Sequence, residues 1–181
     1  MSEQVRTMFA DIAPNYDKTN TVLSFGIHHL WRKTTVKTSG AQPGMSVLDC
    51  ATGTGDLAIE FKKTVGPTGK VTGTDFCAEM LNFAPAKAQA AGTDVHFETA
   101  DVMHLPYADN SFDIASISFG IRNVDDPVRG LAEMARVVRP GGKVMVLEFG
   151  QPNGIFAVPY NLYSRFIIPV LGKMLTGSRA A

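Results

Sequence analysis

The chain has 181 residues, with 17 Lys and Arg against 17 Asp and Glu and a formal net charge of zero. That length suits one domain with a substantial core, and the balanced charge speaks against a nucleic-acid binder, so nucleic acid is not among the expected partners. Only two cysteines occur, Cys50 and Cys77, outside any C-x-x-C pair, which disfavours a disulfide or zinc framework and fits a reducing compartment. The opening residues carry no signal-peptide core and no run of about 18 apolar residues follows, so the expectation is a cytoplasmic protein.

Residues 1–40 read as helical, with Pro14 as punctuation. From 46 to 149 strand and helix alternate. Residues 47–50 form an apolar strand, 51–55 a glycine-rich turn and 56–65 a helix. After a turn at 66–69, residues 70–74 make a second strand. A helical stretch over 78–91 is interrupted by Pro85, which predicts a kink or two short helices. Strands follow at 94–99 and 112–118, the latter apolar enough to be buried on both faces. Asp126-Pro127 reads as an N-cap with proline at the first helical position. Its helix runs to Val138 with Leu131, Met134, Ala135 and Val138 on one face. Arg139-Pro140-Gly141-Gly142 breaks that helix before a strand over 143–149. The alternation predicts an α/β fold, a mostly parallel, doubly wound sheet with helices on both faces. One domain covers 1–181: a helical lid over 1–40, a cofactor-binding core over 41–150, and an apolar segment over 151–181.

The most informative stretch is the turn after the first strand. Gly53 and Gly55 lack a Cβ, so the backbone can turn sharply and a ligand can approach it closely. Such crevices at the carboxyl ends of parallel strands hold nucleotide-type cofactors. Gly53-Thr54-Gly55-Asp56-Leu57-Ala58 fits G-x-G-x-x-G/A, and Asp75 stands about 20 residues on, where a dinucleotide enzyme keeps its ribose-binding acid. These features alone leave a nicotinamide enzyme and a methyltransferase as rivals. Two charges favour the second. Asp56 at the helix start would repel a pyrophosphate, whereas Asp56 and Asp49 suit S-adenosylmethionine, which carries a sulfonium and an ammonium but no phosphate. The plain alternative for Asp56 is a helix cap. Asp101, after the third strand, is placed to accept from an adenine amino group, and Ser118 ends the fourth strand at the same sheet edge.

Three further segments are less generic. Tyr16-Asp17-Lys18-Thr19-Asn20, followed by Ser24, His28 and Trp31, is similar to the signature Y-D-x-M-N with a spaced S, H and W; Thr19 replaces the Met. Arg136-Val137-Val138-Arg139-Pro140-Gly141-Gly142 with Glu148-Phe149 resembles R-V-L-K-P-G-G…E-F. Asp109-Asn110-Ser111-Phe112-Asp113 leads into Ser118-Phe119-Gly120-Ile121-Arg122-Asn123-Val124. Through these segments the chain resembles the class I methyltransferases, and within them the family that C-methylates the ring of ubiquinone and menaquinone precursors, from about residue 3 to the end. The resemblance implies a Rossmann-like fold and S-adenosylmethionine held by Thr54, Asp75, Asp101, Val102 and Ser118, with Gly53 and Gly55 giving close backbone approach and Asp75 taking the ribose hydroxyls. Family proteins continue past residue 181, so the last strands of a seven-stranded sheet are expected to be missing.

The substrate so implied is a prenylated quinol. Its aryl carbon attacks the sulfonium methyl once the neighbouring phenol loses its proton, which demands alignment and help with that proton. Arg122 and Asn123 are the expected catalytic pair, one stabilising the phenolate and the other orienting the ring oxygen; their alternative is a loop brace. The base is left open among a water, Tyr16, His28 and Tyr163, and Tyr16 is also placed in a lid. No metal is expected: adjacent His28 and His29 point apart on a helix, so His28 and Trp31 are given a structural or lid role. The apolar residues of 155–175 suit an isoprenoid path and transient peripheral membrane contact, or else packing onto the core or a second subunit in a homodimer.

Overall fold

The computed structural model describes residues 3–150 and 154–167. Three helices come first: α1 (Glu3–Ile12), α2 (Tyr16–Leu23) and α3 (Ile27–Ser39), with a 3-10 turn at Ala13–Asn15 where Pro14 stands. The core then runs β1 (Ser46–Cys50), α4 (Asp56–Val65), β2 (Lys70–Asp75), α5 (Ala78–Leu81), α6 (Ala84–Ala90), β3 (His96–Thr99), β4 (Phe112–Ser118), α7 (Pro127–Val137) and β5 (Val138–Leu147). A short helix α8 (Ala157–Leu162) and a π-helical turn (Tyr163–Ile167) follow.

The five strands are all parallel in the order β3-β2-β1-β4-β5. Sequence order reverses between β1 and β4, and the crevice outside the strand ends at such a switch point is where α/β sheets bind ligands. Both faces of the sheet are covered. Val47 and Ile114 join Val36 of α3 and Leu57, Phe61 and Val65 of α4 in one core. Their neighbours Leu48 and Ala115 point the other way, into a core with Met134 and Val137 of α7. That alternation explains why apolar residues stand side by side in β1 (Val47, Leu48) and β4 (Ile114, Ala115): each is buried on one face or the other.

Three local expectations differ from the structure. The 78–91 stretch does form two helices, but the break falls at Asn82-Phe83 and Pro85 lies within the first turn of α6, where its missing N–H is no loss. The buried face of α7 is Gly130, Met134 and Val137, with Leu131 packed beside them, whereas Ala135 is exposed. The helix ends one residue earlier than expected, which puts Val138 in the strand. Arg139-Pro140-Gly141-Gly142 does not separate helix from strand but bulges within β5: Phe112 pairs with Val138, and the next pairing is Ile114 with Lys143. Gly141 takes φ 83°, and a Cβ on Gly142 would lie 2.4 Å from the Asp113 carbonyl oxygen, so the bulge needs glycine. The Asp126 cap is as expected, its side chain accepting from the Arg129 N–H at 3.0 Å. Residues 168–181, with Pro169 and the second half of the apolar segment, lie outside the described residues. Among those described, no helix is long and apolar enough to cross a membrane.

Candidate active site

A small cleft opens over the carboxyl ends of β1, β2 and β4. Ala51 and Gly53 form its floor, Asp75 one wall, Ser118 and Asn123 the other, and Tyr16 with Phe9 and Met80 its cover. The floor depends on unusual backbone. Ala51 (φ 49°), Gly53 (φ 58°) and Gly55 (φ 85°) are left-handed. A Cβ on Gly53 would sit 3.3 Å from the Met80 methyl and 4.0 Å from the Tyr16 ring, and one on Gly55 would collide with Phe97 at 2.8 Å. Bare glycine thus keeps the floor open and lets the turn pack on β3.

Asp75 ends β2, buried. Its Oδ2 accepts from the Gly53 N–H at 2.8 Å and its Oδ1 from the Cys77 N–H at 2.9 Å. Burial raises its pKa, and the backbone N–H groups of Cys77, Gly53 and Phe76 oppose that rise. Each carboxylate oxygen keeps a lone pair for a second donor, so the group suits a pair of ribose hydroxyls. Ser118 lines the same cleft and offers a complementary feature: its buried Oγ has no partner among the described residues. An unpaired buried hydroxyl costs free energy unless a ligand or water meets it. The residues present therefore fit a polar, hydroxyl-bearing cofactor.

Other expected cofactor residues take different places. Asp49 lies beneath the turn, 1% exposed, with Oδ2 accepting from Thr52 Oγ1 and Oδ1 from Ser116 Oγ, both at 2.6 Å; burial pushes its pKa up to about 6. It braces β1 to β4 and the turn from below. Thr54 is buried and gives its hydroxyl proton to Asp17 of α2 at 2.6 Å. Asp101 and Val102 adjoin Asp75, since the Ala100 N–H donates to the Asp75 carbonyl at 3.1 Å. Asp101 caps the Met103 N–H at 2.9 Å, and Val102 packs into the α7 core.

Asp56 departs from its expected role. It is not the N-cap, a position taken by Gly55, and it does not face a bare cation site. Its oxygens pair with Arg32 at 2.9 Å and Lys87 at 2.5 Å. Burial works against ionisation, yet Arg32 and Lys87 outweigh it and hold the pKa below the ordinary value. With its charge already neutralised, Asp56 does not discriminate between a sulfonium and a pyrophosphate.

Asn123 and Arg122 lie in a 3-10 turn, Ile121–Asn123, beyond β4. Asn123 lines the cleft. Arg122 forks onto Glu148 at 2.8 and 2.7 Å and covers the Phe149 ring at 5.3 Å. Phe149 stacks on Phe119 at 4.6 Å, and Trp31 meets both edge-on at 5.8 and 6.1 Å. Phe119, at φ 56°, lines the cleft. This aromatic wall was not foreseen; the spacing of Trp31, Phe119 and Phe149 carries no local signal.

Among the side chains considered as base, Tyr16 lines the cleft and burial raises its pKa, with Asn20 and Arg32 opposing. It is a proton donor at neutral pH. His28 is buried beside Arg32, which donates to its Nδ1, while Nε2 meets Thr21 Oγ1 at 3.2 Å. Burial, then the Arg32 charge, lowers its pKa to about 4. Tyr163 donates to the Leu23 carbonyl at 2.6 Å. Among the described residues, no cluster of three His, Cys, Asp or Glu could hold a metal.

A model of the ubiE/COQ5 methyltransferase family matches residues 1–180. The chain is 68% identical over 180 residues to a ubiquinone/menaquinone biosynthesis C-methyltransferase of Bdellovibrio bacteriovorus, covering 99% of this chain and 76% of that protein. It is 44% identical over 178 residues to a demethylmenaquinone methyltransferase of Staphylococcus aureus, covering 98% and 73%. Among solved structures, the [4+2]-cyclase SpnF superposes with a TM-score of 0.72 at 23% identity, covering 86% of this chain and 63% of that one. A SAM-dependent methyltransferase of Aquifex aeolicus gives 0.64 at 24% identity, covering 83% and 87%. At those identities the two structures speak for the fold alone.

Proposed function

The chain belongs to the ubiE/COQ5 methyltransferase family, and from that premise we propose that it methylates a ring carbon of a reduced, prenylated quinol. It is an S-adenosylmethionine-dependent methyltransferase. The observation that carries the substrate reading is the 68% identity over nearly the whole chain to an enzyme named for ubiquinone and menaquinone C-methylation.

The cofactor supplies an electrophilic methyl group when bound. Asp75 holds its ribose hydroxyls, with Ser118 and the bare backbone of Gly53 and Gly55 completing the seat. Thr54 and Asp49 support that seat by fixing the turn, and Asp101 and Val102 flank it beside β3. The ring oxygen of the quinol is met by Asn123 from the side and by the Tyr16 hydroxyl, which keeps its proton and donates. Arg122, paired with Glu148, holds the Phe149 ring at the rim and stabilises a developing phenolate only on leaving that carboxylate. With His28 and Tyr163 tied into their own hydrogen bonds, the phenolic proton passes to water, and the ring C–H proton that the methyl group displaces follows it as the aromatic ring is restored. The wall of Phe119, Phe149 and Trp31 offers an apolar face for the flat ring.

The prenyl tail leads outward. Phe25, Leu30, Leu162 and Phe166 are each more than half exposed, and Phe25 meets Tyr163 at 6.0 Å, joining the α2–α3 turn to the 157–167 segment. This apolar surface supports transient contact of a cytoplasmic protein with a bilayer. Calorimetry with S-adenosylhomocysteine and with NADH tests the cofactor seat: binding of the first alone is expected, and binding of NADH alone would overturn it. Sedimentation with lipid vesicles tests the surface: Phe25→Ser and Phe166→Ser lower vesicle binding if it docks on lipid, whereas loss of a homodimer instead would assign the surface to a second copy.

A further inference from the structure

Helix α2 buries none of its residues completely, so apolar packing alone does not explain why it stays over the cleft. Polar contacts do. Asp17 Oδ1 accepts from Thr54 Oγ1 at 2.6 Å, and Asp17 Oδ2 accepts from Lys87 Nζ at 2.5 Å. The same Lys87 ammonium reaches Thr54 Oγ1 at 3.0 Å and Asp56 Oδ1 at 2.5 Å. Helix α2, the glycine turn, the start of α4 and helix α6 therefore meet at one ammonium group.

We propose that Asp17 and Lys87 are positioning residues that latch α2 onto the glycine turn, thereby setting both the cofactor seat and the placement of Tyr16. The inference rests on the reading of the cleft as the cofactor site. Thr54 has a single hydroxyl proton, and Asp17 takes it, so Thr54 is committed to the latch and orients the turn for the lid. Tyr16 is the residue next to Asp17, and neighbours on a helix point in different directions. With Asp17 hooked on the turn, Tyr16 is directed over Gly53. Releasing Asp17 frees the first turn of α2 and removes the cover from the cleft. The Asp17 and Lys87 side chains are 42% and 30% exposed, so the latch is moderate in strength and sensitive to salt.

Hydrogen exchange and calorimetry test this on the full chain. Asp17→Asn and Lys87→Met each weaken S-adenosylhomocysteine binding about five- to tenfold, an effect appropriate to a partly exposed charge-assisted pair. Both variants also raise the KM for the cofactor more than they lower kcat. In the ligand-free protein both speed amide exchange over residues 16–23 and leave residues 112–118 of β4 protected, which separates release of the lid from unfolding. The double variant is less impaired than the product of the two single losses, because the Asp17–Lys87 bond is lost in both, and Asp17→Glu recovers part of the loss. Unchanged exchange over 16–23 in Asp17→Asn, or additive effects in the double variant, would overturn the latch. Failure of the wild type to bind S-adenosylhomocysteine would instead overturn the cofactor reading, with the ligand-free exchange still deciding the latch.

Discussion

The Gly53 amide donates to the Asp75 carboxylate at 2.8 Å, so the floor of the cleft and its acidic wall form one unit. Changing the acid must therefore disturb both ligand and turn. Asp75→Ala is expected to reduce S-adenosylhomocysteine affinity at least about 100-fold, since two hydrogen bonds to a charged group are lost at about 1.5–3 kcal/mol each. Thermal melts report the accompanying loss of stability from the stranded Gly53 and Cys77 amides, about 1–3 kcal/mol. Affinity within a few-fold of wild type would remove Asp75 from the site.

Asn123 lines the cleft while Arg122 is engaged with Glu148, which separates their expected effects. Asn123→Ala should leave S-adenosylhomocysteine binding intact and lower kcat about 100-fold, the scale of removing one preorganised donor. Arg122→Ala should also spare binding and lower turnover, but it frees Glu148 and Phe149 as well. Glu148→Gln is the control: if it reproduces the Arg122 loss, Arg122 acts by holding the wall. Steady-state kinetics on the three variants decide this.

The stacked Phe119 and Phe149 rings predict a substrate effect without a cofactor effect. Phe149→Ala should raise the quinol KM about threefold to tenfold, matching an aromatic pair worth about 0.5–1.5 kcal/mol. Trp31, packed edge-on against both rings, should report the change in its fluorescence. An unaltered KM would place the quinol elsewhere.

Two buried groups give opposing pH dependence. Asp49, raised to about 6 from 3.8, favours folding most when protonated, so its contribution is full below about pH 4 and is lost as pH rises through 6. His28, lowered to about 4 from 6.5, contributes above pH 6.5 and loses that contribution as pH falls through 4. At about 1.4 kcal/mol per pH unit each is worth on the order of 3 kcal/mol. Melts from pH 4 to 6.5 should therefore tilt in opposite senses on mutation. Relative to wild type, Asp49→Asn loses stability on acidification and His28→Gln gains it. A common direction of tilt would contradict these assignments.

The fold was legible because burial wrote it locally. Runs such as 47–50 and 112–118 place apolar residues on both faces and are bounded by turns, and those strands lie where the pattern puts them. The glycine turn and Asp75 were legible as positions because each directly follows or ends its own strand, but the Gly53–Asp75 bond that joins them spans 22 residues and was not. The bulge at 139–142 was not, since only pairing with β4 turns a helix-breaking motif into part of a strand. Asp56 was misread because its partners, Arg32 and Lys87, are brought to it by folding. Asp17 belonged to the quoted N-terminal signature, yet its bond to Thr54 spans two elements that no local pattern relates. The same holds for the wall of Trp31, Phe119 and Phe149.

Transfer of a labelled methyl group tests the central claim most directly. The protein is incubated with methyl-labelled S-adenosylmethionine and either demethylmenaquinol or the corresponding ubiquinone precursor, and the product is located by mass spectrometry and NMR. Label is expected on a ring carbon of at least one of the two quinols, and its loss is expected in Asp75→Ala. Label on a ring oxygen, or no transfer to either quinol by a protein that binds S-adenosylhomocysteine, would contradict it.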